Sequence, residues 1–194
     1  MDKHRLEAFS DGVIAIILTI MVLDLKVPKE HSFEALGRAW PVFGAYALSY
    51  WNVFLIWLNH HNIFAPIESV NRKLLIANGL LLFLASFIPF VTAFASDAHW
   101  MEPVSVVLYG LLMALVSAAF AHLRRVAHFI SPKGEQGGRS ATEIQLTLFV
   151  GLGFLLGAAA AWFYPRWALV PYALAPLLRL VLRRRWHEVE AQRA

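Results

Sequence analysis

Ser10 and Asp11 are polar residues inside the first apolar segment of the chain, RLEAFSDGVIAIILTIMVLDL, which covers residues 5–25. A carboxylate in such a segment costs at least a few kcal/mol unless it is paired, so it is a candidate functional group. It could attract a permeating cation, take up a proton, or hold neighbouring helices together by hydrogen bonds. The alternative is that Ser10 and Asp11 cap a helix that begins after them.

Donor groups that could reach this carboxylate occur in WLNHHNIF, residues 57–64, and at Asn78. Indole, imidazole and amide N–H groups hydrogen-bond to a carboxylate and keep it ionised. His60 and His61 could instead bind a metal, but the sequence lacks the several histidine clusters that a membrane di-iron enzyme requires. We therefore expect no metal site and no cofactor.

The composition indicates what kind of protein positions these groups. Charged residues make up 15% of the 194 residues and hydrophobic residues 59%, whereas a soluble domain has about 25% charged residues. This deficit indicates a membrane protein. The sequence contains no cysteine, which excludes disulfides and thiolate chemistry. A cleaved signal peptide is not expected, because no small-residue cleavage motif follows the first apolar run.

Six apolar runs are predicted to be transmembrane helices, since about 20 residues cross a ~30 Å hydrocarbon core. The sixth run is the shortest and contains Pro171 and Pro176, which membrane helices tolerate where neighbouring helices satisfy the backbone. The predicted fold is an all-α membrane protein with a single domain over residues 1–194. The runs cover roughly residues 5–26, 35–60, 74–96, 103–123, 143–163 and 166–182.

Basic residues concentrate in the connections on one side of these runs and after the last run. Cytoplasmic connections carry an excess of Lys and Arg, so both termini are predicted to be cytoplasmic. The net charge of +4 is therefore mostly a topology signal, and no nucleic-acid partner is expected. The residues on this side include Lys3, Arg5, Arg72, Lys73, Arg124, Arg125, Lys133, Arg139, Arg179 and Arg183 to Arg185.

The length of the first helix separates two interpretations of Asp11. A helix from Gly12 to Lys26 would cover only about 22 Å, whereas one that starts at Arg5 would cover about 31 Å. The longer helix is favoured because it spans the hydrocarbon core, and Asp11 then lies roughly 9 Å inside it. We expect Asp11 to be buried, ionised and structural; a direct role in permeation or proton transfer and a capping role remain alternatives.

Helical geometry gives the first helix two different faces. At 100° per residue, Gly12, Ile16, Thr19, Ile20 and Leu23 fall in one stripe about 100° wide, which Arg5 and Phe9 extend toward the cytoplasm. Ser10 and Asp11 point more than 90° away from Ile16, toward neighbouring helices. From the sequence alone, an Ile/Leu stripe of this kind is more often a helix-packing surface than a pore lining.

The first helix carries the pattern Arg-x-x-x-Phe-Ser-Asp, here Arg5, Phe9, Ser10 and Asp11, followed by GVIAIILTIMVLDLKVP and later by WLNHHNIF. This pattern resembles the bacterial members of the transmembrane protein 175 family of lysosomal potassium channels. The resemblance implies a six-helix subunit without a reentrant pore loop. It also implies a homotetramer around one pore that the first helix lines, in the bacterial inner membrane.

The resemblance also implies roles for individual residues. Ile16 and Leu23 would form the constriction with Thr19 between them, and Ile20 is a weaker candidate. A carbonyl-ring filter is excluded because the sequence has no TVGYG-like run. The other candidate functional residues would form a structural network at the cytoplasmic end of the pore helix: Arg5, Phe9, Ser10, Asp11, His60, His61 and Asn78.

These observations together predict a potassium-selective or potassium-preferring channel and not an enzyme, with K⁺ as the permeant ion. The expected partners are copies of the same chain, the lipid bilayer and monovalent cations. Two alternatives remain: a proton-coupled secondary transporter that uses Asp11 and the His60/His61 region, and a membrane scaffold without transport. The small residues Gly153 and Gly157 predict close helix packing under each interpretation.

Overall fold

The computed structural model describes residues 2–130 and 137–191, and all regular secondary structure in those two ranges is helical. These two ranges contain eight α-helices, with a short 3₁₀ turn at Pro165–Ala168 before the last one. The prediction of an all-α protein is confirmed. The helices are α1 (Lys3–Leu23), α2 (Phe33–Arg38), α3 (Trp40–Phe64), α4 (Arg72–Ala85), α5 (Ile88–Asp97), α6 (Pro103–Ile130), α7 (Gly137–Ala161) and α8 (Leu169–Ala191).

Five helical segments in the described ranges are long and apolar enough to cross a membrane: Lys3–Leu23, Trp40–Phe64, Arg72–Asp97, Pro103–Ile130 and Ala141–Ala161. They correspond to the first five predicted runs. The predicted sixth run, residues 166–182, corresponds to the 3₁₀ turn and the first part of α8. It is not among the five, because Arg179 and Arg183–Arg185 make the sequence of α8 less apolar.

Helix α1 begins earlier than an N-cap at Ser10 and Asp11 would allow. The Asp2 side chain caps the helix by accepting a hydrogen bond from the His4 backbone N–H at 3.3 Å. The helix then runs for 21 residues, which at 1.5 Å per residue covers about 31 Å. The longer of the two predicted helices is therefore the one observed, and the capping alternative for Ser10 and Asp11 is wrong.

Two predicted runs are interrupted by proline. The second run, predicted over residues 35–60, begins instead with the separate helix α2, and α3 starts at Trp40 with Pro41 in its first turn. The third run is broken between α4 and α5 at Ser86 and Phe87, just before Pro89. Proline lacks the N–H that would continue the preceding helical ladder, so a new helix begins around it.

Helices α7 and α8 pack closely through the small residues that the sequence analysis identified. A Cβ atom at Gly153 would lie 2.5 Å from the Cβ of Ala175, and one at Gly157 would lie 2.5 Å from a ring carbon of Tyr172. Tyr172 is fully buried, and its hydroxyl donates to the Val106 carbonyl of α6 at 2.9 Å. The predicted close-packing face therefore holds α8 against α7 and α6.

Helix α6 packs against α4, α5 and α7, while α1 packs against α3, α4 and α5. Helix α1 is consequently a peripheral helix of the bundle, covered on one side only. This position determines which of its side chains meet protein and which remain uncovered.

Candidate functional site: the first helix and its polar contacts

One face of α1 is buried inside the subunit. Its buried residues are spaced three or four positions apart, which places them on one side of a helix. Ser10 is the only polar member of this set and has no exposed area, which means that its hydroxyl requires partners within the protein. The set consists of Leu6, Ser10, Ile14, Ile17 and Met21.

The opposite face of α1 is uncovered in the single chain. Ile16 is 57% exposed and Leu23 is 80% exposed, and Gly12, Thr19 and Ile20 are exposed as well. The Thr19 hydroxyl donates to the Ile16 carbonyl at 2.9 Å. Its hydrogen is therefore satisfied within the helix, while the oxygen can still accept from, or coordinate to, a group outside it.

A buried hydrogen-bonded chain connects α1, α4 and α3. The Ser10 hydroxyl donates to the Leu6 carbonyl at 2.9 Å and accepts from the Asn78 amide nitrogen at 2.9 Å. The amide oxygen of Asn78 lies 2.8 Å from Nε2 of His60, so this ring nitrogen is the donor when the amide is so oriented. The His60 ring stacks on Phe64 with centroids 4.6 Å apart. Three of the predicted network residues are thus brought together.

Asp11 lies on the flank of α1 and is not part of this chain. It is exposed in the single subunit, so the expectation that it is buried is wrong there. Asp11 lies 100° around the helix from Ser10, so its side chain points away from the centre of the buried face. The carboxylate accepts a hydrogen bond from the indole N–H of Trp57 at 2.9 Å, which makes a second polar link between α1 and α3.

The other three predicted network residues do not join these contacts. Arg5, Phe9 and His61 are exposed. Within the described ranges, the side chains of Arg5 and His61 have no hydrogen-bond or ion-pair partner. His60 and His61 therefore differ although they are adjacent, because consecutive residues of a helix point about 100° apart.

Known proteins resemble this chain along most of its length. The family model described as the endosomal/lysosomal potassium channel TMEM175 matches residues 5–89. A protein of Chryseobacterium sp. (strain P1-3) named as a potassium channel is 39% identical over 184 residues, which cover 93% of this chain and 94% of the relative.

The chain belongs to the TMEM175 family.

Two further relatives agree with this membership. A protein of Streptomyces collinus (strain DSM 40733 / Tue 365) named as a potassium channel is 34% identical over 172 residues, which cover 83% of each chain. A crystal structure described as a lysosomal potassium-selective channel TMEM175 homolog from Chamaesiphon minutus superposes with a TM-score of 0.80 at 25% identity. The superposition covers 92% of this chain and 96% of that one. The TMEM175 family and these relatives are ion channels and not enzymes.

Within the part of this TMEM175 family member that the structure describes, no three His, Asp or Glu side chains come together as a metal site would require. His60 is already bonded to Asn78, and His61 faces away from it. No group of these residues is arranged to hold a cofactor, and the chemistry available to them is hydrogen bonding between helices.

The sequence interpretation misses a second buried polar cluster, formed by Ser49, Asn52, Thr92 and Tyr109. The Tyr109 hydroxyl accepts from the Ser49 hydroxyl at 3.1 Å and from the Asn52 amide at 3.3 Å. The Thr92 hydroxyl lies 2.8 Å from Ser49. These contacts join α3, α5 and α6. The sequence feature that could have predicted this cluster is the spacing of Ser49 and Asn52, which lie three residues apart on one face of α3.

A partly buried ion-pair group was also missed. The Glu143 carboxylate of α7 lies 3.1 Å from an Arg179 nitrogen of α8 and 3.5 Å from an Arg124 nitrogen of α6. One carboxylate shared by two guanidinium groups links three helices at the end of the bundle. Arg124 and Arg179 were used in the sequence only as topology signals, and Glu143 was not singled out.

Proposed function

We propose that the chain forms a potassium-preferring ion channel, in which four copies surround a central pore lined by the uncovered face of α1. The observation that carries the proposal is the contrast between the two sides of this helix. Its inner side is buried and hydrogen-bonded to α3 and α4, whereas Ile16 and Leu23 are largely exposed in the single chain. The printed names of the bacterial relatives as potassium channels support it.

The stripe supplies an apolar constriction instead of a ring of carbonyl groups. Ile16 and Leu23 are seven residues apart, which separates them by about 10 Å along the helix axis. Rings of four such side chains would disfavour water in a narrow pore, and this drying acts as a gate. Ile20 lies between the two rings and at the edge of the stripe.

Thr19 is the one hydroxyl residue on this stripe, and it gives the constriction a polar contact for an ion. Its hydrogen is used by the Ile16 carbonyl. The lone pairs of the hydroxyl oxygen therefore remain available to a partly dehydrated cation. Discrimination between K⁺ and Na⁺ would then come from pore width, from the cost of dehydration and from the four Thr19 oxygens.

The polar contacts of α1 set the rotation of the helix about its axis. The Ser10–Asn78–His60 chain holds one side of the helix, and the Asp11–Trp57 hydrogen bond holds a flank. A rotation of the helix would break these hydrogen bonds and would turn the apolar stripe away from the pore. Arg5 and Phe9 extend the stripe at the cytoplasmic end, where a neighbouring subunit would meet them.

The proposed subunit crosses the bacterial inner membrane six times, has both termini in the cytoplasm and lacks a reentrant pore loop. The packing of α8 against α7 through Tyr172 and Ala175 supports a sixth crossing beside the five more apolar ones. The excess of Lys and Arg on one side supports the orientation. Residues 1–194 form one channel domain in this proposal.

The alternative is a proton-coupled transporter that uses Asp11 and the His60/His61 region. The Asp11 carboxylate accepts a hydrogen bond from Trp57, and a ring nitrogen of His60 is hydrogen-bonded to Asn78. His61 is exposed on the other side of its helix. These hydrogen bonds give Asp11 and His60 a role in helix packing, which supports the channel.

Recording from the purified protein in planar bilayers tests the proposed class of function. A channel gives discrete current steps whose size grows with the K⁺ concentration. A carrier gives no unitary steps but exchanges labelled ions between liposome compartments. A silent bilayer together with such exchange would overturn the proposal.

A further inference from the structure

A cleft of about 470 Å³ opens between α1, α3 and α5, at the end of the bundle where α1 and α5 finish and α3 begins. The buried residues Met21 and Ala45 line its inner part. Its volume lies within the ~300–1,000 Å³ range of small-molecule sites. Asp24 lies about 100° around the α1 axis from Leu23, on the side that faces this cleft, so the cleft is separate from the apolar stripe.

The charges around the cleft favour a cation. Asp24 and Asp97 both line it, and neither carboxylate has a hydrogen-bond or ion-pair partner among residues 2–130 and 137–191. The C-terminal ends of α1 and α5 also lie there, and helix C-termini carry partial negative charge. Lys26 lines the same cleft and offsets part of this charge, and His99 also lines it.

Aromatic rings form another part of the wall: Phe43, Tyr46, Phe90 and Phe94. The rings of Phe90 and Phe94 are parallel within 2°, with centroids 6.2 Å apart. The faces of such rings attract organic cations, and the attraction is strongest for weakly hydrated ammonium groups. Carboxylates combined with ring faces suit an organic ammonium ion better than a small hydrated metal ion.

Ser96 indicates that a polar ligand belongs in this cleft. It is 7% exposed and lines the cleft, yet its hydroxyl has no hydrogen-bond partner in the described part of the chain. Because Ser96 lines the cleft, its hydroxyl can donate to or accept from a ligand there. A ligand with its own hydrogen-bonding group would satisfy it.

We propose that this cleft binds an organic ammonium ion that also carries a hydroxyl or similar hydrogen-bonding group. The ammonium group is held by Asp24, Asp97 and the aromatic rings, and the polar group pairs with Ser96. The site lies beside the end of α1, one residue from Leu23. If the proposed pore is correct, an occupant of the cleft restrains the end of the pore helix and changes its conductance.

Isothermal titration of the purified full chain with choline tests the binding itself, with 3,3-dimethylbutan-1-ol as the neutral molecule of the same shape. We expect choline to bind and the neutral alcohol not to bind. Asp97→Asn weakens choline binding at least about fivefold, because one of two attracting charges is lost. The matched control Glu102→Gln removes an exposed carboxylate that does not line the cleft and leaves binding unchanged.

Tetramethylammonium isolates the role of Ser96, because it has the ammonium group of choline without the hydroxyl. Ser96→Ala is expected to weaken choline binding and to leave tetramethylammonium binding unchanged. Equal binding of choline and 3,3-dimethylbutan-1-ol, or no binding of choline, would overturn the proposal. The absence of choline binding is also the result expected if a neighbouring subunit fills the cleft.

Titration does not depend on conduction, so its outcome is independent of the proposed channel function. The conductance effect is measured separately by adding choline to one side of the bilayer at a time. An effect from only one side that Asp97→Asn abolishes supports the coupling to α1. A conducting protein that binds choline without any effect on current would contradict the coupling and leave the binding site established.

Discussion

The Asn78 amide nitrogen donates a hydrogen bond to the Ser10 hydroxyl at 2.9 Å, and this contact joins α4 to the buried side of α1. Ser10 is completely buried and Asn78 is nearly so. The two residues are 68 positions apart in the chain. The contact fixes which side of α1 is buried against the other helices, and thereby which side remains uncovered.

Asn78→Ala should destabilise the subunit, because it leaves the Ser10 hydroxyl and the His60 ring without their partner. The loss of a buried donor and acceptor costs about 1–3 kcal/mol. We expect a lower melting temperature in detergent and a weaker assembly. The control is Asn62→Ala, which changes an exposed amide near the same end of the bundle and should leave the melting temperature unaltered.

Asp11 and Trp57 should show coupled effects on stability in a double-mutant cycle of Asp11→Asn with Trp57→Phe. A hydrogen bond to a charged acceptor at an exposed position gives a coupling of about 1 kcal/mol. Asp11→Asn should reduce stability or assembly more than it alters ion preference. A fully assembled Asp11→Asn protein with a changed K⁺/Na⁺ selectivity would mean that Asp11 faces the ions.

Thr19→Val keeps the shape of the side chain and removes the hydroxyl oxygen from the stripe. We expect conduction to persist and the K⁺/Na⁺ permeability ratio to fall about two- to tenfold, the size of one lost polar contact. The reversal potential under a K⁺/Na⁺ gradient measures this ratio. An unchanged ratio would place ion selection at another position.

The proposed orientation places the C-terminus in the cytoplasm and residues 97–100 on the opposite side. A reporter that is active only in the cytoplasm should give a signal when fused after Ala194 and none when inserted at 97–100. The reverse pattern would overturn the orientation, and with it the assignment of the two ends of the pore.

The sequence predicted the parts of this structure that follow from periodicity and length. The long apolar runs gave helices, and the 100° rotation per residue separated the Ile16 stripe from Ser10, which the structure finds on opposite sides of α1. The helix length also favoured a start before Ser10 and Asp11, since a shorter helix would not cross the hydrocarbon core, and the cap at Asp2 confirms that start.

The remaining features depend on contacts between helices, which periodicity does not specify. The partner of Ser10 is on α4 and that of Asp11 is on α3, and only the packing of those helices decides which polar residue is buried. The tyrosine-centred cluster around Tyr109 was missed for the same reason. The breaks before Trp40 and at Ser86 follow from Pro41 and Pro89, whose local effect outweighs the apolar pattern.

The proposed channel requires that the face of α1 carrying Ile16 lines the pore. Ile17 is the matched control, because it is adjacent in sequence, has the same side chain and is buried on the other side of the helix. Asparagine at a buried apolar position damages packing, whereas asparagine in an apolar constriction admits water.

The most direct measurement is the current and reversal potential of Ile16→Asn and Ile17→Asn under one K⁺/Na⁺ gradient. We predict that Ile16→Asn raises the current and weakens the preference for K⁺. Ile17→Asn should instead lower the yield of folded protein without altering selectivity in the molecules that assemble. Unchanged conductance and reversal potential in Ile16→Asn, with both altered in Ile17→Asn, would place the pore on another face of α1.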